Sequence, residues 1–163
     1  MKRKSKITED LKHFLESQGI IHVATCGADC MPNVSPKGPL KIDGDTIYFL
    51  DLYSKKTRDN LRHNNKIAIE VVDAVNYRGY QLRGTAELIG KGTTFEKYKN
   101  IWRHQKNKLI VDRIVRAIQR GMPHDVSEKN LPHPQYLVKV TVSEVIDLVP
   151  RQESDHSPKS GRR

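Results

Sequence analysis

Residues 52–64, L-Y-S-K-K-T-R-D-N-L-R-H-N, gather side chains that donate hydrogen bonds to anions. The apolar run Thr46-Ile47-Tyr48-Phe49-Leu50 leads into them, and residues 56–64 read as a helix with Leu61 as its inward anchor. Where a strand gives way to a helix, the first helical N–H groups lack internal partners and the dipole favours negative charge. Ser54 and Thr57 add hydroxyls, Lys56 adds a point charge suited to phosphate, and Asn60 can turn back to the same place. The pattern reads as a cradle for a phosphomonoester, without the glycines of a Walker loop. The alternative reading is a charged helix start on the surface.

Other reactive residues are sparse. Cys26 and Cys30 stand in T-C-G-A-D-C, a single C-x3-C spacing with no second pair. A structural zinc site wants four ligands, and His22 is the one nearby candidate, so two free thiols flanking a turn are expected; a redox-sensing disulfide is the alternative. No Ser-His-Asp or Cys-His set is evident, and His63, His104 and His124 are expected at the surface.

The formal charge is +10 over 163 residues, and its placement matters. Lys2, Arg3, Lys4 and Lys6 make the first residues basic, eight Lys/Arg oppose Glu96 and Asp112 in 93–121, and the last residues are basic again. The rest carries a small negative balance. The positive groups do not form one stretch with interleaved aromatics, so nucleic acid is not the expected partner. No run approaches the ~20 apolar residues of a membrane span, and no apolar region follows the basic M-K-R-K-S-K start; a cytoplasmic protein is expected.

The elements that must position these groups follow from pattern. Residues 8–18 form a short helix capped by Thr8, with Glu9 and Asp10 in its first turn and Leu11, Phe14 and Leu15 as its apolar stripe; Gly19 ends it. Strands are predicted over 20–25, 31–42, 46–51, 67–72, 79–89 and 136–149, with a tight turn at Asp43-Gly44-Asp45. Pro32, Pro36, Gly38 and Pro39 break up the second strand, which leaves backbone groups free to meet a ligand. A long helix is predicted over 94–120, its stripe running through Phe95, Tyr98, Ile101, Trp102, Leu109, Ile114 and Ile118. Residues 121–135 read as a loop. Six strands in hairpin order with peripheral helices suggest an antiparallel barrel of mostly β, α+β class. The expected organisation is a basic arm at 1–7, one domain at 8–149 and a disordered basic tail at 150–163.

Three segments in order resemble the pyridoxamine 5′-phosphate oxidase-like family of FMN-binding split-barrel proteins. They are M-P-N-V-S-P-K-G…D-L-Y-S-K-K-T-R-D-N-L from residue 31, G-Y-Q-L-R-G-T-A-E-L from residue 79, and the final strand. The resemblance covers 8–92 well and the last strand loosely. It implies a six-stranded split β-barrel, a homodimer, and FMN at the subunit interface. Carried over residue by residue, Lys56 and Thr57 match the family's phosphate-binding pair, with Ser54 and Asn60 in support. Asn33, Val34, Ser35, Pro36 and Lys37 match the irregular strand beside the flavin ring and ribityl chain. Asp51, Leu52 and Tyr53 match the strand end beneath the ribityl chain, and Gln81 matches a side chain at the ring's polar edge. Residues 93–135 and the stretch after Pro150 depart from the family pattern. The tail S-P-K-S-G-R-R does not supply the substrate-binding Arg-x-x stretch of true pyridoxine-phosphate oxidases.

The resemblance therefore implies an FMN-dependent oxidoreductase or electron-transfer protein with a small-molecule or protein electron donor. Two alternatives stand beside it: a module that holds flavin or haem without turnover, for which His22 or His63 would have to ligate haem, and a basic β-barrel that binds nucleic acid.

Overall fold

The computed structural model describes residues 6–52, 55–121 and 132–149, apart from the side chains at 108, 109, 112 and 113. Helix α1 spans Glu9–Gln18. The Thr8 hydroxyl accepts the Leu11 N–H at 3.2 Å, which satisfies one of the orphan donors of the first turn. Gly19 closes the helix at φ 68°, a left-handed cap that needs no Cβ. The predicted stripe Leu11, Phe14 and Leu15 is buried, and Tyr80 meets the Phe14 ring edge-on.

Strands β1 (Ile21–Cys26), β2 (Pro32–Lys37), β3 (Pro39–Asp43) and β4 (Thr46–Asp51) precede helix α2 (Lys56–His63). Strands β5 (Lys66–Asp73) and β6 (Arg78–Ile89), helix α3 (Thr93–Gln119) and strand β7 (Tyr136–Asp147) follow. All pairs are antiparallel, in the order β2-β1-β5-β6-β7-β4-β3. The two edge strands of that order, β2 and β3, are consecutive in the chain and joined through Gly38 alone. The sheet must therefore curl until its edges meet at this bend, which is the split barrel. The segment predicted as one strand over 31–42 is two pieces. Its first half pairs with β1 and its second with β4, so one bent segment serves both edges. Counted as one it gives the expected six strands; counted as pieces there are seven.

Period-two alternation decides what the curled sheet encloses. Ile21 and Val23 of β1, Ile69 and Val71 of β5, Leu82 of β6 and Val138, Val140 and Val142 of β7 point inward, where Leu15 and Leu61 join them. A second apolar cluster lies under α3, where Phe95 and Tyr98 cover Leu40, Leu50 and Leu137. The predicted α3 stripe is buried at Phe95 and Tyr98 and half-buried at Ile101, Trp102 and Ile114, but Ile118 at its end is exposed. At Gly84 the β6–β7 register shifts, and the strands approach so closely that a Cβ there would overlap the Thr141 carbonyl oxygen. The tail expected to be disordered at 150–163, most of the 1–7 arm and most of the 121–135 loop lie outside the described residues.

Candidate functional site

A cleft of about 400 Å³ opens where β2, the end of β4 and the start of α2 converge, lined by Asn33, Ser35, Lys37, Asp51, Lys55, Lys56 and Thr57. The β1–β2 register explains three of them: Asn33, Ser35 and Lys37 stand opposite Thr25, Val23 and Ile21, on the inward face. Strand alternation thus presents every second residue of N-V-S-P-K to the cleft.

Thr57 is the hub. It is 5% exposed, its Oγ1 accepts the Asn33 amide at 3.3 Å, and it lies 3.1 Å from Ser35 Oγ. A threonine hydroxyl has one proton and two lone pairs. When Ser35 donates, Thr57 accepts twice and keeps its own proton for a ligand. At the α2 N-terminus the N-cap residue, Lys55, supplies no side-chain cap of its own, and Lys55 and Lys56 bring positive charge to the first helical N–H groups. Lys56 Nζ donates to Asp29 Oδ2 at 3.1 Å; this bond, then the Met31 N–H, holds the Asp29 carboxyl below its usual range. Lys37 Nζ donates to Asp51 Oδ1 at 3.1 Å, both largely buried, so the cleft floor carries a nearly neutral pair while its helix end is cationic. Donors, hydroxyls and positive charge converge at one end, which is the chemistry a phosphate monoester requires.

Six of the sequence-derived site residues meet here: Asn33, Ser35, Lys37, Asp51, Lys56 and Thr57. Val34 and Pro36 alternate to the opposite face, where both are exposed, and do not line the cleft. Leu52 is half-buried just past β4. Tyr53 and Ser54 lie outside the described residues. Asn60 is 2% exposed and does not line the cleft; its Nδ2 donates to Thr25 Oγ1 at 3.2 Å, pinning α2 to β1. Gln81 is also elsewhere, on β6 between Glu70 and Ile146, its amide oxygen accepting from Arg83 at 3.0 Å. Two participants escaped the sequence reading. Lys55, which the lysine-rich run does not distinguish from its neighbours, also lines the cleft. Thr25, which accepts from both Asn33 and Asn60, was read as strand, although a threonine at an inward position between apolar neighbours is a signal.

Among the described residues the histidines are exposed, while His124, expected at the surface, lies outside them. His22 lies on the outer face 3.6 Å from Glu70, and His63 is exposed at the end of α2. Among the described residues no group of three or more His, Cys, Asp or Glu could hold a metal ion.

No curated protein matches the chain in sequence. Solved structures do. HupZ of Group A Streptococcus is 25% identical, with a TM-score of 0.65, over 88% of this chain and 94% of its own. An FMN-binding protein of Syntrophomonas wolfei is 14% identical, with a TM-score of 0.56, over 91% and 86%. HutZ, the haem storage protein of Vibrio cholerae, is 13% identical, with a TM-score of 0.55, over 86% and 94%. The latter two share the fold. A family model described as pyridoxamine 5′-phosphate oxidase matches residues 7–147, and on that match, which spans most of the chain, the protein belongs to the pyridoxamine 5′-phosphate oxidase family.

Proposed function

We propose that the protein is an FMN-binding flavoprotein acting as an oxidoreductase or electron-transfer protein. The observation that carries this reading is the convergence of Lys55, Lys56, Thr57, Ser35 and Asn33 on one end of the cleft, against the start of α2. FMN's terminal phosphate belongs at that end. Thr57 and the first helical N–H groups would donate to it, and Lys56 would exchange its bond with Asp29 for one with the phosphate. Asn33 and Ser35 orient the Thr57 hydroxyl. The Lys37–Asp51 pair, buried at the floor, would fix the cleft's shape and bring a cation towards the remainder of the cofactor. When bound, the flavin supplies the capacity to accept hydride or electrons at N5.

Gln81 would reach a ring only from a second copy, because on its own chain it lies across the sheet from the cleft. The row Pro36, His22, Glu70 and Gln81 shares the outer face of the sheet, and Val34 and Val72 are exposed on that face. A homodimer meeting there, with FMN near the interface, accounts for Gln81, Val34 and Pro36 together. Two free cysteines fit a cytoplasmic setting, and no helix among the described residues is long and apolar enough to cross a membrane.

The test is the visible spectrum, followed by an FMN titration of the wild type and Lys56→Ala. Two flavin bands that bleach on reduction are expected. Losing one charge-assisted hydrogen bond, about 1.5–3 kcal/mol, should weaken FMN binding about 10- to 150-fold. A colourless preparation that takes up no added FMN, a Soret band in its place, or unchanged affinity in Lys56→Ala would overturn the assignment.

A further inference from the structure

Beside the cleft stands a dithiol that the cofactor reading leaves unused. Cys26 ends β1 and Cys30 follows a turn closed by the Cys30 N–H donating to the Gly27 carbonyl at 3.2 Å. The turn reverses the chain so that β2 runs back along β1, with Cys26 opposite Pro32. Cys30 is exposed and sits at φ 56°, a left-handed conformation that glycine or asparagine adopts at less cost; nothing in the backbone calls for cysteine there. The two thiols also sense each other. The Cys26 thiol is pushed up by burial first and then by the charge of Cys30 and a hydrogen bond with it. Between them, Asp29 holds Lys56, so the dithiol adjoins the cation at the rim of the cleft.

We propose that Cys26 and Cys30 form a thiol-oxidation site in which peroxide drives a reversible intramolecular disulfide across the 27–29 turn. Only three residues intervene, so the ring closes at little cost in chain entropy. Cys30, the exposed thiol, reacts first: its sulfur attacks one oxygen of hydrogen peroxide, the O–O bond breaks, and the departing hydroxide leaves as water with the thiol's proton. The product is a sulfenic acid at Cys30. The Cys26 sulfur then attacks that sulfur; the S–S bond forms, the S–O bond breaks, and the hydroxyl leaves as a second water with the Cys26 proton. Two thiols and one peroxide give one disulfide and two waters, the sulfurs losing the two electrons that the peroxide gains. A dithiol reductant reverses the step by thiol–disulfide exchange.

The test needs no flavin. Full-length protein is treated with hydrogen peroxide, denatured in the presence of N-ethylmaleimide, and weighed intact. Loss of both alkylatable thiols is expected, with the mass of two hydrogens removed, monomer mobility on a non-reducing gel, and full recovery after dithiothreitol. In Cys26→Ser the sulfenic acid has no partner, so a dimedone adduct should accumulate at Cys30 that the wild type lacks. Covalent dimers, thiols that stay alkylatable, or a dimedone adduct in the wild type as abundant as in Cys26→Ser would each overturn the proposal. Because the readout is mass, it stands or falls separately from FMN binding.

Discussion

The contact between Gly27 and Asn60 allows a sharp test of how the site is braced. Gly27 lies in the turn after β1, and a Cβ there would sit 2.6 Å from Asn60 Oδ1. Its φ lies outside the left-handed region, so alanine meets no backbone penalty and the clash is the whole cost. Asn60 cannot simply swing away, because it is buried and donates to Thr25. Overpacking of this kind costs about 1–3 kcal/mol, of which about 0.4–1 kcal/mol is returned by the stiffer unfolded chain. Gly27→Ala should therefore lose about 1–2 kcal/mol. Asn60→Ala removes a buried hydrogen bond, at about 1–2 kcal/mol. In the double variant the colliding oxygen is gone, so the Gly27→Ala cost disappears and the pair is less damaging than the sum by about 1–2 kcal/mol. Urea unfolding at one protein concentration reads this out: with a slope of about 1–3 kcal/mol per molar, each single variant should shift the midpoint by roughly 0.5–1 M. Strict additivity, or a Gly27→Ala protein as stable as the wild type, would refute the argument that Asn60 is an internal pin for α2.

Two more expectations follow from packing. Gly84→Ala would press a Cβ into the Thr141 backbone carbonyl, which has no rotamer to change; a loss of about 3 kcal/mol, or roughly 6–12 °C in Tm, is expected by calorimetry, and an unshifted Tm would refute it. Tyr98, stacked on Tyr48 at 4.5 Å, has its pKa raised from 10.0 to about 12 by burial first and by Tyr48 second. The folded state thus favours the neutral phenol, so this contribution to stability is complete below pH 10 and is lost as pH rises towards 12. A phenolate absorbance titration should show one late tyrosine that Tyr98→Phe removes.

Much of the fold was legible because local chemistry and tertiary structure agree. Thr8, the acidic first turn and Gly19 mark α1 at both ends, and Asp43-Gly44-Asp45 marks the β3–β4 hairpin. The break at Gly38 was not legible as two strands. Both halves keep extended backbone, and only the change of neighbour from β1 to β4 separates them, which is a tertiary fact. At the site, alternation could have predicted that Val34 and Pro36 face away from Asn33, Ser35 and Lys37, but the resemblance joined all five. Asn60 shows the deeper limit. Its spacing from Lys56 and Thr57 suits a ligand group, yet the amide turns to Thr25, because an acceptor at an inward position of β1 outcompetes the cleft. The stripe of α3 fails at Ile118 because periodicity reports which residues share a face, not how far the barrel beneath it extends.

The bend at Gly38 has a mechanical consequence. Strands β2 and β4 lie near opposite ends of the hydrogen-bonded order, so no ladder stitches them directly, and Lys37–Asp51 is a rivet across that seam. The Thr57 bonds to Asn33 and Ser35 tie β2 to the start of α2 beside it, and a molecule gripped between Ser35 on one lip and Lys56 on the other would add a further tie. Its departure would require the lips to part, so slow release of a tightly held guest and resistance of the whole barrel to opening would rise and fall together.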